Sequence, residues 1–327
     1  MFVRFRQAIA AAAIIFGAAV TPHLAHAAEV VLTAVSGFPK GAADSLRFEA
    51  WIKTLNERGK GIVQIDYRGG APAIGSPFQL TGRVASGVFD MVSITGAYYT
   101  NLLPEADALK LAERSALELR ENGGYDYIAG LHAEKGLHYL GRHTEGIPFH
   151  LYLREGRKID QADLSGVKIR VTPMYRNFFT ALGATGQNAS VTEIYTLMER
   201  GVVDGYGWPI QGIFDFSWEK VTRYRVEPGF YSADINVLLN KKKWDELPQQ
   251  VRDFLTGEMI ALEKTNGESQ KKNEAEKARQ EAAGIKAIRF SPAEERKWVE
   301  TAKNAGWDGV VKASPEHGPI LRKLLAK

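Results

Sequence analysis

Two spacings of apolar residues alternate along the first third of the chain. Apolar residues recur every three or four positions at residues 46–55 and 80–86, which predicts two helices, the first with Asp44 as a candidate N-cap. Short β-prone runs lie around them and predict strands at residues 29–36, 62–67 and 89–95. This alternation of strand and helix predicts an α/β domain with a largely parallel sheet.

The alternation begins again further along the chain. Helices are predicted at residues 175–182 and 192–199, and the second has Thr192 as its N-cap and Gly201 as its C-cap. Strands are predicted at residues 137–140, 149–153, 167–171, 202–205 and 234–240. The pattern therefore predicts a second α/β unit.

The last third is predicted to be mainly helical. One long helix is expected from residue 248 to about residue 283, and its charged stretch at 271–281 is typical of a solvated helix face. The capping box Ser-Pro-Ala-Glu at residues 291–294 opens a terminal helix. We expect two α/β lobes tied together by the long helix.

The N-terminus has the three parts of a secretory signal. Arg4 and Arg6 precede an apolar run at residues 8–20, Pro22 ends that run, and an Ala-His-Ala cleavage pattern ends at Ala27. The run is short for a membrane span, which needs about 20 residues. We expect residues 1–27 to be a signal peptide and the protein to be periplasmic; a retained N-terminal anchor is the alternative.

Composition narrows the function classes. The chain has 327 residues, 45% of them hydrophobic, a formal net charge of +4 and no cysteine. The leader carries two of the basic residues, so a nucleic-acid partner is not expected. The lack of cysteine excludes disulfides, thiol nucleophiles and thiolate zinc sites.

Motifs for catalysis are missing. No nucleophile elbow, zinc-protease helix or phosphate loop is present, and the glycines near Tyr206 do not form a dinucleotide fingerprint because Ile210 replaces the third glycine. His143 and His150 flank a turn, but their spacing matches no metal motif, so we predict no metal and no cofactor. We do not expect an enzyme, although the sequence leaves one possible.

Six segments together carry a family resemblance, at residues 71–90, 166–171 (GVKIRV), 175–184 (YRNFFTALGA), 193–205 (EIYTLMERGVVDG), 231–240 (YSADINVLLN) and 243–255 (KWDELPQQVRDFL). In this order they resemble the substrate-binding proteins of TRAP (tripartite ATP-independent periplasmic) transporters, a family often labelled dicarboxylate-binding and abbreviated DctP. The resemblance covers nearly the whole chain after the leader.

The resemblance implies a two-lobe periplasmic-binding-protein fold, type II-like, with a long helix spanning both lobes. We expect lobe I at residues 28–147 plus about 232–275, and lobe II at residues 148–231 plus about 276–327. The resemblance implies a protein without enzymatic activity that captures an organic acid by hinge closure and delivers it to a membrane permease. We expect a monomer, although some relatives pair through an extended terminal helix. A binding protein of an ABC importer or a sensor, and a periplasmic lyase or hydrolase on the same scaffold, are the alternatives.

Arg170 is the first candidate ligand-binding residue. It lies inside an apolar strand, where a guanidinium is costly unless a partner compensates its charge. Its planar fork matches a carboxylate with two parallel hydrogen bonds. A salt bridge within the lobe is the structural alternative, but the resemblance aligns Arg170 with the family's carboxylate-binding arginine.

Trp208 is the second candidate. The resemblance places it where many members have asparagine and where a subset that binds 2-oxo acids has tryptophan. That subset has a glutamate just before the tryptophan to help hold a cation, but Gly207 stands there in this chain. The alternative is that Trp208 only packs the hinge. The remaining candidates are polar and aromatic residues of the first lobe, namely Phe38, Gln79, Tyr98 and Tyr99.

We expect the ligand specificity to depend on the lack of a second arginine in the predicted site. Members that bind sialic acid or C4-dicarboxylates usually have a second arginine, and our alignment places Pro148 there. Arg142 or His143 would have to compensate, but we expect Arg142 to be a solvated surface residue. One cationic anchor among several aromatic residues favours an aromatic or 2-oxo monocarboxylate.

Overall fold

The computed structural model describes residues 29–327. The predicted signal peptide at residues 1–27 lies outside this range. No helix within residues 29–327 combines the length and the apolar character needed to cross a membrane.

The described chain folds into two β-sheets with helices packed on their faces. Twelve strands are present in residues 29–327: β1 Val30–Ser36, β2 Val63–Gly70, β3 Met91–Ile94, β4 Leu137–Thr144, β5 Pro148–Leu153, β6 Lys168–Val171, β7 Thr185–Asn188, β8 Gly205–Pro209, β9 Tyr224–Glu227, β10 Phe230–Ser232, β11 Ile235–Asn240 and β12 Lys286–Arg289. The first sheet has the order β2-β1-β3-β11-β4; the second has the order β12-β9-β5-β8-β6-β7, with β10 paired to β5.

The same range contains eleven α-helices: α1 Ala43–Arg58, α2 Pro77–Ala85, α3 Ala116–Glu121, α4 Gly124–Ala133, α5 Pro173–Ala181, α6 Ile194–Glu199, α7 Lys241–Glu246, α8 Gln249–Glu263, α9 Ser269–Ala282, α10 Pro292–Ala313 and α11 Gly318–Leu325. Short 3-10 helices connect them at Gly96–Tyr98, Pro104–Leu111, Val191–Glu193, Ile213–Phe216, Trp218–Lys220 and Asn266–Glu268.

Each sheet has a single reversed strand and the remaining strands run in one direction, so the prediction of a largely parallel sheet is confirmed apart from that strand. In the first sheet β1 runs parallel to β2 and β3, but β11 lies antiparallel between β3 and β4. In the second sheet β5 is antiparallel to both of its neighbours β8 and β9. The chain passes from the first sheet to the second between β4 and β5, and returns between β10 and β11. Each reversed strand is therefore the one by which the chain enters a sheet after a crossing.

The predicted helix at residues 248–283 is two helices with a 3-10 turn between them. The buried Asn266 in that turn donates through Nδ2 to the Arg142 carbonyl at 2.9 Å and accepts from Arg47 at 2.9 Å. The Thr265 hydroxyl also accepts from Arg47, at 2.7 Å. These bonds tie the turn to β4 and α1, so α8 packs on β4 of the first sheet while α9 reaches β12 of the second.

Four apolar clusters flank the sheets and form the core. One face of the first sheet packs on α1 and α8 and the other packs on the helices between residues 77 and 133. In the second sheet, α5 and α10 cover one face, and a cluster around Trp218 covers the other. Helix α10 contacts both α5 and the 3-10 helix Pro104–Leu111, and α11 packs into the first sheet's cluster through Leu321 and Leu325. The fold is α/β with two lobes, as predicted.

Most of the predicted helices and strands are confirmed, but their first and last residues differ from the predicted ones. The strand expected at residues 202–205 instead starts at Gly205 and runs to Pro209. The backbone at Ala42, and not Asp44, starts helix α1, and Asp44 lies in its first turn without a capping bond. The predicted capping box at the start of α10 is only half formed: the Ser291 side chain accepts from the Glu294 amide, but the Glu294 carboxylate accepts from the Ala162 amide at 2.8 Å.

Candidate functional site

Arg170 is a buried cation without an anionic partner. It lies on β6 between β7 and β8, and only 2% of it is exposed. Its Nε donates to the carbonyl of Ala189 at 2.9 Å and its Nη1 donates to the hydroxyl of Tyr175 at 2.8 Å. Within residues 29–327, no Asp or Glu oxygen lies within 4.0 Å of its guanidinium. The charge is thus buried with two neutral acceptors only, which is a costly arrangement unless an anion joins it.

Tyr175 holds the Arg170 guanidinium in place and also accounts for the glycine at position 207. The Tyr175 hydroxyl, which accepts from Arg170, donates to the Gly207 carbonyl at 2.9 Å. A Cβ at Gly207 would lie 2.9 Å from Cε2 of the Tyr175 ring, so the ring fills the space of any side chain there. The position at which the 2-oxo-acid subset has glutamate is therefore closed by Tyr175. Within residues 29–327, no group of three or more His, Asp or Glu residues is placed to hold a metal.

Trp208 lies on the same face of the second sheet as Arg170. Arg170 pairs in parallel register with Tyr206, and side chains two residues apart on a strand share a face. The indole packs edge-to-face against Trp218 and Phe216, with ring centroids 4.9 Å and 5.8 Å away. Its Nε1 is buried and has no hydrogen-bond acceptor among the described residues. A Cβ at Gly212 would lie 3.2 Å from that nitrogen, so a side chain at this position would crowd the indole.

Phe38 and Tyr98 form the facing wall of the site. Phe38 follows β1 and Tyr98 ends the 3-10 helix after β3, so both lie where parallel strands end at the same edge. Their ring centroids are 5.7 Å apart, and Phe78 closes the group with a centroid 5.1 Å from Tyr98. Removal from water raises the pKa of Tyr98 to about 12; the charge of Asp44 adds to the rise, and the charge of Arg170 opposes it. The Tyr98 hydroxyl is thus within the electrostatic reach of Arg170 on the other lobe.

Two carboxylates complete the site, and the sequence analysis missed both as site residues. The amide of Ala43 in the first turn of α1 donates to Oδ2 of Asp215 at 3.3 Å, across 172 residues of chain. Burial, together with the charge of Asp215, raises the pKa of the neighbouring Asp44 to about 6. Asp44 had a weak sequence signal, because it follows the first strand-to-helix turn, and Asp215 had none.

Gln79 and Tyr99 lie apart from Arg170. Gln79 is exposed on α2 and, with Tyr99, helps to line a surface cavity of about 500 Å³. Tyr99 is 1% exposed, and its hydroxyl is 3.0 Å from Nε2 of His132 inside the core. Arg170 and Trp208 thus share a face of the second sheet, and Phe38 and Tyr98 lie together at the first sheet, where the Tyr98 hydroxyl is in electrostatic reach of Arg170. Among the described residues no such interaction links Gln79 or Tyr99 to Arg170.

Arg142 does not supply a second free cation, and the expectation that it lies on the surface is wrong. It is 3% exposed, and its Nη2 lies 2.5 Å from the Glu145 carboxylate and donates to the Arg114 carbonyl at 2.8 Å. The end of β4 is covered by the turn after α8, which buries this pair. His143 is also buried, 2.9 Å from the Ser93 hydroxyl, and burial lowers its pKa to about 3.

Comparison with known proteins gives a consistent picture. The sequence model of the family "bacterial extracellular solute-binding protein, family 7" (DctP) matches residues 39–308. An uncharacterized protein of Sinorhizobium fredii, y4mM, is 26% identical over 276 residues, which is 80% of this chain and 48% of that protein. The C4-dicarboxylate-binding periplasmic protein DctP of Rhodobacter capsulatus is 27% identical over 168 residues, which is 50% of this chain and 47% of that protein. The chain spans about half the length of the curated relatives it matches.

Solved structures share the fold. A TRAP periplasmic solute-binding protein of Desulfovibrio salexigens with bound orotic acid superposes with a TM-score of 0.78 at 18% identity, covering 91% of this chain and 97% of that one. A TRAP solute-binding protein from a marine metagenome, specific for aromatic acid ligands, superposes with a TM-score of 0.75 at 21% identity, with the same coverage of 91% and 97%.

Proposed function

The chain belongs to bacterial extracellular solute-binding protein family 7, the DctP family of TRAP substrate-binding proteins, and on that premise we propose that it is the periplasmic solute-binding subunit of a TRAP transporter. It captures an aromatic or 2-oxo monocarboxylate and delivers it to the membrane permease subunits. The protein acts as a monomer and carries out no chemical step.

The observation that carries this proposal is the buried, uncompensated charge of Arg170. Tyr175 and Ala189 hold the guanidinium through Nη1 and Nε, which leaves Nη2 for an incoming carboxylate. Charge-assisted hydrogen bonds of this kind are about twice as strong as neutral ones. An organic acid therefore supplies the partner that the described chain lacks.

The surroundings of Arg170 support a monocarboxylate. Arg142 is already paired with Glu145, Arg279 lies beside Glu276, and Asp44 and Asp215 of this region are both acidic. A second carboxylate on the ligand would meet these acids without a cation to compensate it. Phe38, Tyr98 and Trp208 offer aromatic surfaces for the remainder of the ligand.

Hinge closure is the proposed mechanism. The sheets are joined through the β4–β5 and β10–β11 crossings and the turn after α8, and the proposed lobes are residues 28–147 plus about 232–275 and residues 148–231 plus about 276–327. The bond from Ala43 to Asp215 joins elements that pack on different sheets. A ligand held by Arg170 on one side and by Phe38 and Tyr98 on the other favours the closed form through these differential contacts.

A thermal-shift panel of organic acids tests the proposal. A ligand at about 100 times its Kd stabilises the folded state by roughly 2.7 kcal/mol. We expect a shift with aromatic or 2-oxo monocarboxylates that is absent in Arg170→Ala and weakened in Arg170→Lys, which keeps the charge but loses the fork. Arg200→Ala is the matched control, because it removes the same charge from an exposed position on the second lobe.

Three outcomes would overturn the proposal. A shift that persists in Arg170→Ala would place the anchor elsewhere. Tighter binding of a dicarboxylate than of its monocarboxylate analogue would contradict the proposal that Arg170 is the single cationic anchor for a carboxylate among the described residues. Turnover of a bound acid would assign the protein to an enzyme class.

A further inference from the structure

We propose that Lys110 is a positioning residue for the ligand site. It lies on the side of the first sheet and holds the helix turn that carries Tyr175, and through Tyr175 it fixes Arg170. The inference rests on the proposed function, because it takes Arg170 as the anchor of the ligand's carboxylate. It adds a residue that acts on the anchor from the other sheet.

Lys110 is a buried lysine with a counter-ion in its own helix. Only 4% of it is exposed, and its Nζ donates to Oδ1 and Oδ2 of Asp107 at 2.7 Å and 2.8 Å. Both residues belong to the 3-10 helix Pro104–Leu111, whose apolar side chains pack in a cluster of the first sheet. An ammonium has three donors, and Asp107 takes two of them.

The third bond of the ammonium reaches the second sheet. Nζ donates to the carbonyl of Met174 at 2.5 Å, and Met174 is the second residue of α5. Helix α5 packs in an apolar cluster of the second sheet, and Tyr175 follows Met174 directly. The bond therefore ties the first sheet's 3-10 helix to the turn that supplies the hydroxyl holding Arg170.

The stability of α5 does not account for this bond. A positive charge beside the first turn of a helix opposes the helix dipole, which favours negative charge there. Within residues 29–327, no side-chain bond caps the turn at Thr172, and the Tyr175 amide is 3.4 Å from the Thr172 carbonyl. A turn held so weakly by its own helix depends on outside contacts for its position, and Lys110 provides one.

Lys110 also contacts the segment by which the chain returns to the first sheet. Its Nζ lies 5.1 Å from the ring centroid of Tyr231 on β10, and the Tyr231 hydroxyl donates to the Ala302 carbonyl on α10 at 3.0 Å. Tyr231 has a φ of 38°, in the left-handed region that bulky residues seldom occupy. Such a conformation persists only where the surroundings hold it. The ammonium thus contacts both the crossing segment and α5.

These contacts connect the crossing between the sheets to the anchor. Lys110 holds Met174, and Tyr175 is the next residue. The Tyr175 hydroxyl accepts from Nη1 of Arg170 at 2.8 Å. A shift of the first turn of α5 would move this hydroxyl and turn the guanidinium, whose hydrogen bonds to a carboxylate require a fixed orientation. Ligand affinity is therefore expected to depend on Lys110.

Three variants separate positioning from stability. Asp107→Asn breaks the ion pair but leaves the donor to Met174. Lys110→Met breaks both contacts, and the double variant Asp107→Asn with Lys110→Met breaks both without leaving a carboxylate unpaired. Calorimetry with benzoate, pyruvate and phenylpyruvate measures affinity, and urea denaturation measures stability. Lys53→Met is the matched control, because it removes the same charge from an exposed position on α1.

Affinity and stability are expected to change in different orders. The Kd of each probe acid that the wild type binds should rise about 10-fold in Lys110→Met and in the double variant, and less than about twofold in Asp107→Asn and Lys53→Met. The free energy of unfolding should fall most in Lys110→Met, which leaves Asp107 unpaired, and should partly recover in the double variant. A merely structural role would make affinity recover together with stability.

The Nε–H resonance of Arg170 gives a second measurement that needs no ligand. The wild type should show a slowly exchanging signal, because this N–H is buried and donates to the Ala189 carbonyl. Its loss in Arg170→Lys assigns it. We expect the signal to shift or to exchange faster in the double variant, and to stay unchanged in Asp107→Asn.

The inference and the proposed function fail in different ways. If a probe acid binds through Arg170 and binds the double variant as tightly as the wild type, the inference alone is overturned. The same holds if the Arg170 resonance is unchanged in the double variant, or if Asp107→Asn weakens binding as much as Lys110→Met does. If no probe acid binds the wild type, or Arg170→Ala binds as the wild type does, the proposed function falls and the inference falls with it.

Discussion

The second sheet contains two buried arginines whose surroundings differ in one respect. Arg225 on β9 is 0% exposed, and its Nε lies 3.0 Å from the Glu227 carboxylate while its Nη1 donates to Gln280 at 2.8 Å. Arg170 on β6 is 2% exposed, and its bonds go to a tyrosine hydroxyl and a backbone carbonyl. Within residues 29–327, the chain supplies an anion for Arg225 but none for Arg170.

This difference separates a structural cation from a binding one. A buried arginine whose counter-ion is two residues away in sequence holds the sheet together whether or not a ligand is present. A buried arginine that lacks one is complete only when an external anion arrives. Burial alone would not distinguish Arg170 from Arg225. Their hydrogen-bond and ion-pair partners distinguish them. The following changes test the comparison, from the largest expected effect to the smallest.

Arg225→Ala is expected to lower the free energy of unfolding by about 3–5 kcal/mol, because it leaves the largely buried Glu227 without its partner. Urea denaturation measures this loss. The double change Arg225→Ala with Glu227→Gln should recover part of it. A loss under about 1 kcal/mol would mean that Arg225 is no more structural than a surface pair.

Arg170→Ala is expected to give the reverse result. Its free energy of unfolding without ligand should stay within about 1 kcal/mol of the wild type, because no carboxylate is left unpaired. Its affinity for the ligand should fall about 100-fold, which corresponds to roughly 2.7 kcal/mol. Denaturation and calorimetry on the same preparation measure the two effects. A large loss of stability would place Arg170 in the same class as Arg225.

Gly207→Ala is expected to disturb the support of Arg170. The new methyl group would lie 2.9 Å from the Tyr175 ring and 3.2 Å from the Phe179 ring, so stability should fall by about 1–3 kcal/mol. Ligand affinity should fall as well, since Tyr175 positions the guanidinium. Gly82→Ala, in α2 with open space around its Cα, is the control and should be neutral or slightly stabilising. Equal effects of the two changes would contradict the role given to Tyr175.

The pH dependence of stability is expected to show the titration of Asp44. The pKa of Asp44 is raised from 3.8 to about 6 by burial and by the charge of Asp215, and Tyr98 lies near it. The folded state therefore holds this proton more tightly than the unfolded state does. Stability from this group is fully present below pH 3.8 and is lost as pH rises to about 6.

The measurement is the difference in unfolding free energy between wild type and Asp44→Asn, followed from pH 4 to pH 7 without ligand. The wild type should lose about 1–2 kcal/mol relative to the variant over this range, a value reduced for partial exposure. A flat difference would mean that the Asp44 carboxylate is fully solvated. Buried histidines such as His143 act in the opposite direction in both proteins and cancel from the difference.

Much of the local structure followed from the sequence. Alternating and helical spacings of apolar residues placed most strands and helices within a few residues of their observed ends. This works because an element that buries one face has apolar residues at a regular spacing along the chain. The family followed from motif order, and matches to residues 39–308 confirm it. Several short elements were missed, since they are brief and their apolar residues show no clear period. They are the helices Ala116–Glu121, Gly124–Ala133 and Gly318–Leu325 and the strands Thr185–Asn188, Tyr224–Glu227, Phe230–Ser232 and Lys286–Arg289.

The site followed from the sequence only in part. Arg170 stood out because a charged residue inside an apolar strand conflicts with its surroundings, and the resemblance gave Trp208. The sequence could not show that Tyr175 fills the space beside Gly207, since that contact joins a helix to a strand 32 residues away.

The sequence by itself therefore determined the spacing of apolar residues in the helices and strands, the family, and Arg170 as a candidate ligand-binding residue. Only the tertiary structure decided the reversal of β5 and β11, the break after α8 and the meeting of Asp44 with Asp215. Those features depend on pairings between residues far apart in the chain, such as Ala43 with Asp215. Local side-chain patterns record which face is buried, but they do not record which distant group lies against it.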